Sequence, residues 1–150
     1  MTYLVLMLGR LYENQECSAA RALELVGERW SLLILRDAMF RNYTRFLQFQ
    51  KSLGIAPNIL AKRLEDFVAA GLMEHRQPGV SGGQADYLLT QKGLELKPVI
   101  MTLTAWGDKW VRPGPIVFRN GADDQPIELQ LRLAGGNTPV DVADVVARRR

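Results

Sequence analysis

A mainly helical α+β fold, with a small β-hairpin set beside a pair of short helices, is predicted by three features of this 150-residue sequence. Residues 57–68 carry apolar side chains at Ile59, Leu60, Leu64, Phe67 and Val68, the spacing that buries one stripe of a helix. Just before them, Gly54-Ile55-Ala56 is a tight turn with a glycine, joining that helix to a shorter apolar one. Just after them, two short strands, Leu72–Arg76 and Tyr87–Leu89, flank Pro78-Gly79-Val80-Ser81-Gly82-Gly83, a flexible hairpin tip. Helix, turn, helix and hairpin in that order predict a winged helix-turn-helix, here followed by a short C-terminal appendage that contains β-structure.

The remaining elements follow from local signals. Ser18 is placed to cap a helix that runs to Val26 and stops at Gly27, with Leu23 and Val26 as its buried side. A second helix, from about Glu28 to Met39, presents Trp30, Leu33, Ile34 and Ala38 on one face. Arg41-Asn42-Tyr43 is a turn, after which Thr44 can cap a helix through Leu53 with Phe46 and Phe49 inward. Pro57 opens the next helix at the position where a missing N–H costs nothing, and Gly71 closes it. After the hairpin, Thr90 caps a last helix in which Leu96, Val99, Leu103, Trp106 and Trp110 alternate spacings of three and four, with Pro98 as a kink or a true start. Such a seam can pack on its own domain or on a second copy of the chain, and two tryptophans favour the second copy. Beyond Arg112-Pro113-Gly114-Pro115, Ile116–Arg119 and Ile127–Leu133 read as two strands around a turn. The chain thus divides into an N-terminal arm (residues 1–16), a winged-helix body with its terminal helix (17–112) and a C-terminal extension (113–150). Within the arm, either Met7 is a translation start that leaves Met1–Leu6 as an extension, or the apolar run Tyr3–Leu8 packs on a partner subunit.

Composition narrows the function classes. Forty-seven per cent apolar residues support a packed core without metal or disulfide staples. One cysteine, Cys17, excludes an internal disulfide framework, and one histidine, His75, leaves no two-His metal site or ordinary triad. No phosphate-cradling glycine loop follows a strand. The expectation is a protein without catalytic residues, metal or cofactor. The longest apolar run is too short for a membrane span of roughly 20 residues, so no membrane partner and a cytoplasmic location are expected.

The net charge of +3 is modest, but its distribution is not even. Between Arg21 and Arg63 eight basic residues stand against three acidic ones, whereas Pro113 to Arg150 holds five of each. The excess coincides with the two-helix unit, as expected of a face that approaches phosphates. On the outer edge of the helix from Pro57, Asn58 suits an adenine edge, and Lys62 or Arg63 suits guanine or phosphate, with Ala61 between them. Thr44 and Arg45 begin the preceding helix and suit backbone contacts, and Arg76 is the hairpin cation nearest the same region.

Several ordered segments carry a family resemblance. Cys17–Leu23, Gly27-Glu28-Arg29-Trp30-Ser31-Leu32-Leu33-Ile34-Leu35-Arg36, Ile55-Ala56-Pro57-Asn58-Ile59-Leu60-Ala61-Lys62-Arg63-Leu64, Ala70-Gly71-Leu72, Tyr87–Gly93 and Ala105-Trp106-Gly107 together resemble the HxlR family of bacterial transcriptional regulators. The resemblance spans about Arg10 to Trp110. It implies a homodimer joined through terminal helices, binding a pseudo-palindromic operator in double-stranded DNA, and expected to repress. It also implies a response to oxidants or electrophiles through a cysteine in the position of Cys17, which stands at a helix start with Arg21 one turn on. Two departures are visible: Ala56 stands where the family often has a capping Ser or Thr, and the wing reads Gly82-Gly83-Gln84-Ala85-Asp86 where a basic residue is usual. Two other readings stay open. One is a regulator responding to a small molecule bound beside Trp30, Trp106 or Trp110; the other is a winged helix used for protein contact without an operator.

Overall fold

The computed structural model describes Tyr12, residues 14–78 and residues 85–150. The expectations for the apolar N-terminal run and for the Gly-rich hairpin tip lie outside these residues. The chain divides into two units, one ending at Ile100 and the other running Met101–Arg150.

The first unit contains helices α1 (Ser18–Val26), α2 (Ser31–Phe40), α3 (Phe46–Leu53) and α4 (Pro57–Ala69). Strands β1 (Met73–Arg76) and β2 (Asp86–Leu89), the short α5 (Gln91–Leu94) and the start of α6 (Lys97–Trp110) follow. β1 and β2 pair antiparallel, with Met73 opposite Leu89 and Arg76 opposite Asp86. This is the predicted winged helix-turn-helix, and its core is one cluster. Ile34, Leu35, Phe49, Leu60, Leu64, Phe67, Leu72, Met73 and Ile100 are buried together, each contributing roughly 1.5–3 kcal/mol of apolar burial.

The helix ends explain the element boundaries. α4 starts at Pro57, whose fixed φ is already helical, although Ala56 before it offers no side-chain cap. It stops in a complete C-terminal motif. Gly71 takes φ +74°, its N–H donates to the Val68 carbonyl, and Leu72 N–H donates to Phe67 carbonyl at 2.9 Å. Between α3 and α4, Gly54 adopts φ +63°, a left-handed conformation that costs other residues about 1–2 kcal/mol. Gly93 is required for a different reason: a Cβ there would stand 2.2 Å from the Leu72 carbonyl oxygen.

Several expectations are corrected. α1 is capped by Cys17, not Ser18: the sulfur accepts the Ala20 N–H at 3.4 Å. Leu23 is 45% exposed, and the buried side of α1 is Ala20, Glu24 and Val26. Glu24 is stabilised there by Arg21 at 2.6 Å and by the Tyr12 N–H at 3.1 Å. α2 starts only at Ser31, and its inner face is Ile34, Leu35, Ala38 and Met39, with Leu33 at the surface. α3 is capped from Arg45, not Thr44. The helix predicted after the hairpin is two helices. Thr90 does cap the first, its hydroxyl accepting the Gly93 N–H at 3.1 Å, but the backbone turns at Glu95–Leu96 and restarts at Lys97. Pro98 therefore sits in the first turn of α6, where its missing N–H is tolerated.

The second unit holds the rest of α6 and the extension. Two turns fold the extension back on itself. Isolated bridges join Arg119 to Pro126 and Arg132 to Pro139, in place of the two strands expected, and a single 3-10 turn covers Val142–Asp144. No residue from Met101 to Arg150 is buried. Among the described residues no helix is long and apolar enough to cross a membrane.

Candidate nucleic-acid interface

Three elements of the first unit carry the residues expected to meet phosphates and bases: the starts of α3 and α4, and the first wing strand. On α4, Pro57, Asn58 and Lys62 are exposed and Ala61 is half-buried, while Leu60, Leu64 and Phe67 one stripe round are buried. Asn58 and Lys62 are one turn apart, so they share an outer edge. Its free N–H groups at the α4 start add partial positive charge beside them.

The two cations of this edge differ in environment. The Lys62 ammonium lies 2.6 Å from Asp66 Oδ1, with its side chain 45% exposed. The Arg63 guanidinium lies 3.5 Å from Asp66 Oδ2 and is only 15% exposed. Asp66 itself is buried against the helix. Lys62 can swing outward on its flexible stem, whereas Arg63 is held inward and braces α4.

Thr44 and Arg45 sit at the joint between α3 and the wing. Gln48 folds back so that its Oε1 accepts the N–H groups of both Thr44 and Arg45 at 3.0 Å. Thr44 Oγ1 donates to Asp86 Oδ1 at 2.8 Å, and Tyr87 N–H donates to the Thr44 carbonyl at 2.7 Å. Arg45 lies 3.8 Å from the same Asp86 carboxylate and is half exposed. Asp86 thus ties the first residue of β2 to the start of α3, and Arg76 stands opposite it across the ladder, exposed.

Next to this joint, His75 and Tyr87 stack across the two strands, with ring centres 4.3 Å apart and planes within 3°. Burial pushes the Tyr87 phenol above its ordinary value of 10.0, and the Glu65 carboxylate pushes it further. Behind the interface, buried Asp37 fastens α2 to α3. It accepts from Ser52 Oγ at 2.5 Å and from Arg36 at 2.8 Å, with Arg41 at 3.7 Å.

Sequence reasoning did not single out Gln48, Asp66, Asp86 or Asp37. Gln48 had a readable signal, since Gln three residues after a cap position is the capping-box spacing. Asp86 and Asp37 had none, because their partners are 42 and 15 residues away in the chain. Of the residues expected to form a seam, Leu96 lies before α6 and packs on the core. The exposed stripe begins at Val99 (47%) and continues through Leu103, Trp106 and Trp110 (65%). Cys17 is exposed. Among the described residues no cluster of His, Cys, Asp or Glu could hold a metal ion.

Comparisons with known proteins agree with this architecture. The family described as HxlR-like helix-turn-helix matches residues 25–115. An HTH-type transcriptional regulator of Mycobacterium tuberculosis is 44% identical over 118 residues, covering 79% of this chain and 69% of that protein. The regulator YodB of Bacillus subtilis is 30% identical over 97 residues, covering 64% of this chain and 86% of YodB. The solved structure of PA1607, a candidate transcription factor, superposes with TM-score 0.80 at 37% identity, over 93% of this chain and 99% of that one. The reduced form of YodB superposes with TM-score 0.55 at 27% identity, over 67% and 99%. A winged fold with this exposed helix edge and a match across most of the body leads to one assignment: the chain belongs to the HxlR family of helix-turn-helix transcriptional regulators.

Proposed function

We propose that the chain acts as a homodimeric repressor that binds a pseudo-palindromic operator in double-stranded DNA. The observation that carries this reading is the outer edge of α4, where Asn58 and Lys62 are solvent-facing on a helix otherwise locked into the core. Asn58 reads a base edge, Lys62 takes a phosphate or guanine, and the first turn of α4 adds the backbone N–H groups of Asn58 and Ile59, with Pro57 and Ala61 lining the same edge. Thr44 and Arg45 set the register on the backbone, with Arg76 as the wing's contribution. Arg63 acts from within, holding Asp66 and so the pitch of the helix. One such helix reads too few bases for discrimination. Two of them, joined through the Val99–Trp110 stripe, would demand half-sites about 34–36 Å apart.

The same reading makes Cys17 the regulatory residue, sensing oxidants or electrophiles. The exposure of its sulfur at the start of α1 supports this. So does the company of relatives: YodB has been solved in quinone-bound and diamide-treated forms, and a structure of the redox regulator HypR shares the fold. A second reading, response to a small molecule, is favoured by a cleft beside the wing joint. It is lined by Met39, Thr44, Tyr87, Leu89 and Lys97 and by none of the three tryptophans.

Selection of bound duplexes from random DNA, with and without diamide, tests the proposal. A two-fold symmetric consensus that is lost on oxidation, and retained by Cys17→Ser, is the expected outcome. Uniform retention of all sequences would reject operator binding, and unaltered selection under oxidant would reject the sensor.

A further inference from the structure

The extension after Pro115 has an organisation that neither the family match nor the winged body accounts for. Its two turns share a middle segment. The first pairs Arg119 with Pro126, with the Ile127 N–H donating to the Phe118 carbonyl and Asn120 N–H to the Gln125 carbonyl. The second pairs Arg132 with Pro139, with Val140 N–H donating to Leu131 and Leu133 N–H to Thr138. In antiparallel pairing, directly opposed residues share a face and neighbours alternate. Extended from the two bridges, this register puts Ile116, Phe118, Ile127, Leu129, Leu131, Leu133, Thr138 and Val140 on one side of a narrow ribbon whose three segments are joined by single bridges. Val117, Arg119, Pro126, Glu128, Gln130, Arg132 and Pro139 fall on the other.

That apolar side is uncovered: Ile127 and Leu129 are 45% and 42% exposed, and Ile116 and Leu133 are 56%. A sheet with one hydrophobic face must bury it against another layer, and a narrow ribbon without one is marginal in water. The same unit carries a second uncovered apolar surface, the Leu103, Trp106 and Trp110 stripe of α6. The ribbon and the stripe do not cover each other within one chain, since both remain exposed. A second copy supplies each with the other.

We propose that the ribbon of one copy lies on the α6 stripe of its partner, so that the extension is an intersubunit clasp. This rests on the homodimer reading above and extends it to residues outside the family match. Charge agrees with that occupant. Before the terminal arginines the extension carries five carboxylates against two arginines, which disfavours nucleic acid or an anionic membrane. The α6 stripe has Lys109 at its side, 4.9 Å over the Trp110 ring, and Arg112 follows just beyond the end of the helix. The size is also suitable. Ribbon and stripe together need to release on the order of 800 Å2 per copy to form an interface of standard area, within reach of ten large apolar side chains. The departure of the chain from α6 is fixed rather than loose: Gly114 N–H donates to Asp108 Oδ1 at 2.8 Å, between Pro113 and Pro115.

Sedimentation equilibrium on the full chain, on Leu129→Asp/Leu131→Asp and on a chain ending at Arg112 tests the clasp, with circular dichroism confirming that the winged body stays folded. The clasp predicts a dimer whose Kd rises by about 100-fold or more in both altered chains, the scale of losing central apolar anchors. A second measurement mixes two differently sized full-length copies in a Cys17→Ser background, one with Leu131→Cys and the other with Trp106→Cys. A disulfide between the two sizes is expected. A dimer with unchanged Kd in both altered chains, or no link between the sizes, would overturn the clasp while leaving the homodimer intact. A full-length chain that stays monomeric would overturn the homodimer reading itself.

Discussion

Lys62→Ala offers the sharpest quantitative test of the α4 edge. Its ammonium is 2.6 Å from Asp66 within the helix and its side chain is 45% exposed, so in the proposed complex phosphate and carboxylate would compete for it. An exposed pair four residues apart contributes only about 0.3–0.5 kcal/mol to stability, and the variant should fold normally. Binding should change much more. Each phosphate contact steepens the dependence of log K on log salt by about 0.9. Two subunits losing Lys62 should flatten the slope by about 1.8, so over a roughly fourfold rise in salt the parent should lose about 12-fold more affinity than the variant. Fluorescence anisotropy of a labelled operator duplex, titrated at roughly 50, 100 and 200 mM NaCl, gives the slope directly. An unchanged slope would mean that the ion pair with Asp66 persists in the complex, and Lys62 would leave the interface.

Three further outcomes are expected. Asp37→Ala removes charge-assisted hydrogen bonds from Arg36 and Ser52 to a buried carboxylate and should cost about 2–3 kcal/mol in urea unfolding; exposure of the arginines keeps it below the loss for a fully buried pair. Asp86→Ala should cost about 1 kcal/mol and selectively speed hydrogen exchange at Tyr87 N–H, which the Thr44 carbonyl accepts; exchange rising equally across the domain would contradict a local joint. The Tyr87 phenol, raised by burial and by Glu65, should ionise above the ordinary tyrosine value in absorbance at alkaline pH, and Tyr87→Phe should delete that late step. Because its folded value exceeds the unfolded one, the associated stability is fully present below about pH 10 and is lost as pH rises through the folded value.

Legibility followed the range of the interaction. The ends of α4 could be read almost to the residue because they are encoded within residues 57–72: Pro57 fixes the first turn and Gly71 the last. Its stripe was read less closely, since Leu60, Leu64 and Phe67 are buried but Ile59, expected with them, is 40% exposed. The wing strands were legible, to within a residue at each start, because they flank a run of turn residues. The start of α1 was read one residue late because a thiol took the capping role that Ser18 was expected to fill. The start of α3 was misread because Gln48 at N3, not Thr44, satisfies the leading N–H groups. Burial on α1 and α2 departed from simple periodicity where charged partners intervene. Glu24 is inside because Arg21 accompanies it, and Leu23 is displaced outward. The Asp37 and Asp86 links bring together residues far apart in sequence, and nothing in a local pattern marks them.

The Asp86 joint changes how a wing without a basic second strand can contribute. A wing usually adds affinity by placing a cation on the phosphates, but here the residue entering β2 is an acid already engaged by Thr44 and close to Arg45. Its effect is therefore indirect. Asp86 holds Thr44 in place through one side-chain bond, and the Tyr87 N–H holds the same residue through its carbonyl. Two independent attachments to one residue leave the start of α3 little freedom to rotate relative to the hairpin. Arg45, half exposed beside the same carboxylate, is kept near one position while remaining able to turn toward solvent. In the proposed operator complex, pre-placing a cation in this way would lower the ordering cost of a phosphate contact by Arg45. Met39, Tyr87 and Lys97 share a cleft wall with Thr44, so a small molecule bound there, as the second reading proposes, would lie directly against this joint.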